Sequence, residues 1–202
     1  MSKLTKFSLY IFLFLLSIFS SIFAFYYFQQ NIYKGNLTIS TKDLSSPIHL
    51  HTDENGFVHI KAQTRKDIFF ALGVAHARDR LFSMDIFRRL SRGKLSELFG
   101  ERILEVDKIS RTIGFGRAAE KDVKELKKLK EYQELDEIFE TYCKGINYWA
   151  NSHYLPIEYY LLNAKFENWT QIDSYAFFRF MDWSMSGVHE IELISHLVHD
   201  FL

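Results

Sequence analysis

One cysteine, Cys143, is all the thiol chemistry that 202 residues carry, which excludes an intrachain disulfide framework and any zinc site built on thiolates. Cys143 is therefore expected to be a small buried apolar side chain. Net charge is equally scarce. The 25 Lys and Arg offset 25 Asp and Glu, so no basic field recruits nucleic acid and no acidic tail repels it. Stand-alone catalytic signatures are missing too: there is no Gly-rich phosphate loop, no Gly-x-Ser-x-Gly elbow and no His-Glu-x-x-His pair. What is present is apolar and aromatic, 48% hydrophobic with 20 Phe and 11 Tyr, enough for one domain with a true core.

From Phe7 to Phe28 no residue is charged. A helix of about 22 residues rising about 1.5 Å each spans about 33 Å, the depth of a bilayer's hydrocarbon core. Lys3 and Lys6 precede this run and the first basic residue after it is Lys34, so the positive-inside bias keeps the N-terminus cytosolic and sends the rest across. Residues 1–33 are expected to be a signal anchor or signal peptide, and residues 34–202 an extracytoplasmic module, membrane-anchored or secreted through residues 7–28. The run exceeds the apolar region of about 7 to 15 residues usual in signal peptides, and only Ala24 offers a small cleavage residue, which favours an anchor.

Past that segment no linker, repeat or low-complexity tract divides the chain. Short strands are expected at residues 37–40, 48–51 and 57–60, with Asp53-Glu54-Asn55-Gly56 as a hairpin turn. Thr64-x-x-Asp67 resembles a capping box and opens a long helical pattern through Ile68, Leu72, Ala75, Leu81, Met84 and Phe87 to an end near Gly93. A second pattern from Leu126 through Leu129, Tyr132, Leu135, Phe139, Tyr142 and Ile146 to Trp149 keeps three- and four-residue spacing and predicts one amphipathic helix. After Leu155-Pro156 come a short helix, a loop around Asn168-Trp169-Thr170, and a last apolar helix from Asp173. The fold class expected is mostly α with a small N-terminal β-ribbon.

Three constellations could carry chemistry. His49-x-His51-x-Asp53 would set three metal-ligand side chains on one strand face by the period of two, against the plainer reading of a chance His-x-His pair. His76, beside Asp79 and Arg80 in a helical pattern, reads as a hydrogen-bonded structural histidine more readily than as a catalytic base. Arg78-Asp79-Arg80, Arg88-Arg89 and Arg92 mix both signs with apolar neighbours, as a solvated face or an internal ion-pair cluster would.

In order along the chain, Asp53-Glu54-Asn55-Gly56-Phe57-Val58-His59-Ile60-x-Ala62 is followed by Ala71-Leu72-Gly73-x-x-His76-Ala77-x-Asp79-Arg80-Leu81-x-x-Met84-Asp85-x-x-Arg88-Arg89. Then come Gly93 to Gly100, Asp107, Arg111, Gly114, Gly145-Ile146-Asn147, Leu155-Pro156-x-Glu158 and Trp169-Thr170-x-x-Asp173. This succession resembles the opening of the penicillin acylase (penicillin amidase) family of N-terminal-nucleophile hydrolases, over about residues 50 to 195. Val58 departs from a proline usual in that pattern, and Ser195 from an arginine.

The resemblance implies the α-chain portion of a precursor that is cut into α and β chains and shares a four-layer αββα fold. The nucleophile it implies is the serine that begins the β chain, its own α-amine acting as base; no catalytic residue is placed in this chain. An α-amine with a pKa of about 7.7 to 8.0 is partly neutral near pH 7, so it can take the serine proton. The substrate implied is a small N-acyl amide, a β-lactam side chain or an acyl-homoserine lactone. Met185 and Ser186 fall near positions that line the acyl pocket, and Glu192 matches a glutamate that binds calcium with β-chain carboxylates, Glu190 being its neighbour and competitor. The partners implied are that β chain, the amide and, through residues 7–28, a membrane, with no nucleic acid. The alternative is a catalytically inactive, membrane-anchored binding or scaffold protein derived from the same module.

Overall fold

The computed structural model describes residues 3–32 and 35–186. Its first element, α1 (Lys3–Ile32), is an uninterrupted helix. Within it Phe7–Phe25 is long and apolar enough to cross a membrane, and none of that stretch is buried against protein. The Ser21 hydroxyl donates to the Ser17 carbonyl at 2.9 Å, so this polar group is satisfied inside the helix, as a lipid environment would demand.

Three antiparallel strands follow, β1 (Gly35–Ile39), β2 (Ile48–Thr52) and β3 (Val58–Lys61), in the order β1-β2-β3. Each lies within one or two residues of its expected position. Alternation sends Ile39, Ile48 and Leu50 into the core and leaves Asn36, Thr38, His49, His51 and His59 on the exposed face. The β2–β3 turn is held by Asp53, whose backbone N–H donates to the Phe57 carbonyl at 3.0 Å. The Asp53 carboxylate accepts the N–H groups of Asn55 and Phe57 at 3.0 and 2.9 Å.

The long helix α2 (Arg65–Arg92) starts and stops where its caps require. Thr64 accepts the Asp67 N–H through its hydroxyl at 3.1 Å, and Gly93 takes the left-handed conformation (φ 63°) in which a side chain would be strained. Asp67 also accepts the N–H of Ser45 at 3.1 Å and the Ser45 hydroxyl, which ties the β1–β2 connection to the helix start. The backbone leaves helical geometry at Arg80 (φ −141°, ψ 17°). The helix therefore bends, which the sequence pattern alone did not predict.

Along α2 lies α6 (Gln133–Ser152). The two cross with backbone touching backbone: a methyl at Gly73 would overlap the Tyr142 carbonyl oxygen, and one at Gly145 would overlap the Phe70 carbonyl oxygen. Around that crossing Phe70, Val74, Leu81, Ile146 and Trp149 join Ile48 and Leu50 of the ribbon in one core. Cys143 is buried there as expected, and burial, followed by the nearby Asp173 charge, pushes its thiol up to about 12. It stays protonated and unreactive.

The expectation of one helix from Leu126 to Trp149 is corrected. Helix α5 (Phe115–Leu126) ends at the start of that stretch, Leu129 is extended (φ −93°, ψ 117°), a 3₁₀ turn covers Lys130–Tyr132, and α6 begins only at Gln133. The spacing of Leu126, Leu129 and Tyr132 continues through a turn because α5 packs on a different helix, α8 (Gln171–Ser186), while α6 packs on α2. Two short helices, α3 (Ser96–Phe99) and α7 (Ile157–Leu161), and the amphipathic α4 (Leu104–Ile113) complete the architecture.

Candidate functional site

Near its C-terminal end α2 carries a buried ionic cluster. Asp85 is completely inaccessible. One of its oxygens accepts Arg88 Nε at 2.8 Å, and the other accepts Arg89 Nε at 3.2 Å and the Tyr159 hydroxyl at 3.1 Å. Burial, then the Asp85 charge, holds the Tyr159 hydroxyl far above its ordinary pKa, so it serves only as a donor. Arg88 continues to the Glu167 carbonyl at 2.7 Å and lies over the rings of Phe166 and Trp169. Arg89 reaches Glu97 at 2.6 Å and the Lys165 carbonyl at 3.1 Å. Arg92 donates to Asp173 at 2.9 Å. Asp173 in turn accepts the N–H and hydroxyl of Thr170, both at 2.8 Å, and so caps α8.

Arg88, Arg89 and Arg92 of the arginine-rich run thus form an internal ion-pair cluster, whereas Asp79 and Arg80 are exposed. Other spaced positions of the sequence pattern join neighbouring elements by hydrogen bonds to backbone. Asp107 accepts the N–H groups of Leu95 and Ser96 at 2.7 and 2.8 Å, Arg111 donates to the Gly93 carbonyl at 2.7 Å, and Asn147 exchanges two hydrogen bonds with the Trp169 backbone. Asp107 and Arg111 thereby tie α4 to the chain that leaves α2, while Asn147 and the Arg92–Asp173 pair set the start of α8 against α6 and α2.

What α8 then encloses is a largely apolar groove of about 600 Å³ between these three helices. Phe69, Leu72, Met84 and Phe87 line it from α2, Phe139 from α6, and Phe177 and Phe178 from α8, while Arg65, His76, Arg80 and Ser83 give it a polar edge. His76 shares a hydrogen bond with the Tyr142 hydroxyl at 2.9 Å. Burial lowers the pKa of the His76 ring against the opposing pull of Asp79, and burial raises Tyr142 to about 12. The pair is therefore neutral near pH 7, and His76 is a hydrogen-bonded part of the groove's edge. No motif reasoning pointed to this groove; its signal in the sequence is Phe177-Phe178-x-Phe180-Met181-x-Trp183, a helix apolar on more than one face.

Met185 and Ser186, the expected pocket residues, are the last two described residues of α8 and lie outside the groove lining. The Met185 side chain is 74% exposed, and the Ser186 hydroxyl turns back to the Trp183 carbonyl at 2.8 Å. Glu192, with Glu190 and Ser195, lies outside the described residues. His49, His51 and Asp53 do not share one face as three ligands: β2 ends at Thr52, and Asp53 is consumed by its turn and by His59 Nε2 at 3.3 Å. Among the described residues no group of three or more His, Cys, Asp and Glu converges as a metal site.

Residues 47–200 match the family model described as penicillin amidase. The chain is 34% identical over 152 residues to the penicillin acylase 2 proenzyme of Pseudomonas sp. (strain SE83), covering 75% of this chain and 19% of that protein. To the acyl-homoserine lactone acylase QuiP of Pseudomonas aeruginosa it is 29% identical over 156 residues, covering 76% of this chain and 18% of that one. The chain thus spans about a fifth of the length of these curated relatives. Among solved structures, the thermostable penicillin G acylase from Alcaligenes faecalis superposes with a TM-score of 0.59 at 23% identity, over 69% of this chain and 72% of that chain. That likeness establishes the fold of the matched helices and ribbon.

Proposed function

Because the chain belongs to the penicillin amidase family, we propose that it is the α-chain portion of an acylase that hydrolyses the linear amide bond of a small N-acyl substrate, with the serine nucleophile on a β chain. The observation that carries this reading is the family match across residues 47–200, on a scaffold whose apolar groove is open in this chain. A β chain from the same precursor covers that groove and supplies the serine, the base and the oxyanion donors. The relatives' length, about five times that of the matched part, supports such a partner. In this reading Met185 and Ser186 form part of the acyl pocket wall, where an apolar side chain excludes water and a small one leaves room for the acyl group. Glu192 contributes one carboxylate to a calcium ion completed by β-chain oxygens, since a hard cation takes six to eight of them. Residues 1–33 act as signal or anchor, and the module works outside the cytoplasm; the exposed apolar stretch Phe7–Phe25 supports this.

The test is expression of the natural gene through and beyond the codon for Leu202, followed by mass analysis of the products and assay with chromogenic N-acyl amides. Two polypeptides and hydrolysis are expected, with the second polypeptide beginning at serine and hydrolysis lost when that serine becomes alanine. A stop after Leu202 and a product inert toward amides would overturn the reading and leave the binding or scaffold role.

A further inference from the structure

The exposed face of the ribbon carries a histidine pair that the acylase reading does not use. Antiparallel register sets His51 of β2 directly opposite His59 of β3, with Asn36 of β1 in the same row. Directly opposed residues have Cβ atoms about 4.5–5.5 Å apart. The two imidazoles lie with centroids 6.0 Å apart and planes inclined by 30°. Each ring already has one nitrogen engaged by an acceptor. His51 Nδ1 donates to the Asn36 amide oxygen at 2.8 Å, and His59 Nε2 donates to the Asp53 carboxylate at 3.3 Å. In the neutral tautomers that match these contacts, the opposite nitrogens, Nε2 of His51 and Nδ1 of His59, carry the lone pairs. A ring whose N–H is held by a carboxylate or carbonyl while its other nitrogen is free is the arrangement that prepares a histidine to ligate a metal.

We propose that His51 and His59 form a two-histidine site for a divalent transition ion that favours imidazole, Zn²⁺, Ni²⁺ or Cu²⁺, bridging β2 to the edge strand β3. Metal–nitrogen bonds of about 2.0–2.1 Å require the rings to converge slightly from their present separation. Both are exposed, so rotation about their side-chain bonds accomplishes this without moving the backbone. Water fills the remaining coordination positions. Asp53 and Asn36 orient the ligands and are not ligands themselves. His49 stands apart, since its Nδ1 is engaged by the Thr38 hydroxyl at 3.0 Å and the residue opposite it is Lys61, a cation. The ion would clamp the β2–β3 hairpin at the end where Asp53 closes the turn.

The experiment is calorimetric titration of the full chain in detergent with ZnCl₂ and with NiCl₂, alongside imidazole ¹⁵N NMR, for the unmodified chain, H51Q, H59Q, H49Q and the double variant H51Q/H59Q. One ion per chain is expected, bound about tenfold or more weakly in either single variant and unchanged in H49Q. The ¹⁵N shifts should move at Nε2 of His51 and Nδ1 of His59. The double variant matters because His189, His196 and His199 are also in the sequence. Binding that survives in the double variant, a loss in H49Q equal to that in H51Q, or no binding at millimolar metal would each overturn the proposal.

Discussion

Removing the Asp85 carboxylate would strand two guanidinium groups where water does not reach. Arg88 and Arg89 are 4% and 6% exposed and both direct Nε at Asp85. Breaking a buried ion pair from one side costs about 3–5 kcal/mol. Asp85→Ala is thus expected to lower unfolding free energy by about that amount in urea titration; a loss under about 1 kcal/mol would mean that water hydrates the cluster. Asp67 gives a pH-dependent counterpart. Burial alone would raise its pKa, but the hydrogen bonds from Ser45 and Thr64 outweigh burial and hold it below the ordinary carboxylate range. A depressed carboxylate contributes stability that is full above its unfolded value of about 3.9 and is lost as pH falls through the lower folded value. Asp67→Asn should flatten the drop in melting temperature between neutral pH and that acid range, while lowering it at neutral pH.

At the scale of elements, the crossing of α2 and α6 is the contact with least latitude. Gly73→Ala or Gly145→Ala places a methyl into a facing carbonyl oxygen, and forced separation of packed helices costs about 1–3 kcal/mol or more. Either variant is expected to melt well below the unmodified chain, and an unchanged melting temperature would show that the helices slide apart freely. Elements with local punctuation were legible in the sequence. The Asp53–Gly56 turn, the Thr64 cap and the Gly93 stop each act through their own backbone, so the ribbon and α2 could be placed within a residue or two. The break between α5 and α6 was not, because the three- and four-residue rhythm runs on through Leu129 while tertiary packing on two different helices decides where the chain turns. The scaffold of the site was legible as a pattern of spaced residues, Asp85, Asp107, Asn147 and Asp173 among them. Their purpose was not, because hydrogen bonds such as Tyr159 to Asp85 join residues far apart in sequence. The groove escaped for the same reason: its wall is assembled from three helices.

For the whole molecule, α1 sets the expected behaviour in cells. A helix whose stretch Phe7–Phe25 has no buried side chain should hold the chain in the membrane fraction through carbonate extraction, and deleting residues 1–33 should release it. Retention of the deleted form in that fraction would move membrane attachment to the module. The released module would still expose its apolar groove between α2, α6 and α8, so it should bind a hydrophobic dye strongly and lose that binding once a β chain covers the groove. Continued dye binding in an assembled acylase would place the β chain elsewhere.

Met185 has a consequence in redox chemistry. Of the methionines, Met84 and Met181 are partly sheltered by the helices around them, whereas Met185 presents most of its surface to solvent. A solvent-facing thioether is readily oxidised to a polar sulfoxide, and under the pocket role proposed for Met185 oxidation would turn an apolar surface into a hydrogen-bonding one. An unassembled chain would in this way carry a chemical record of its waiting time. If Met185 takes the pocket position proposed for it, each hour in an oxidising environment would leave that surface more polar, until a methionine sulfoxide reductase restored the thioether.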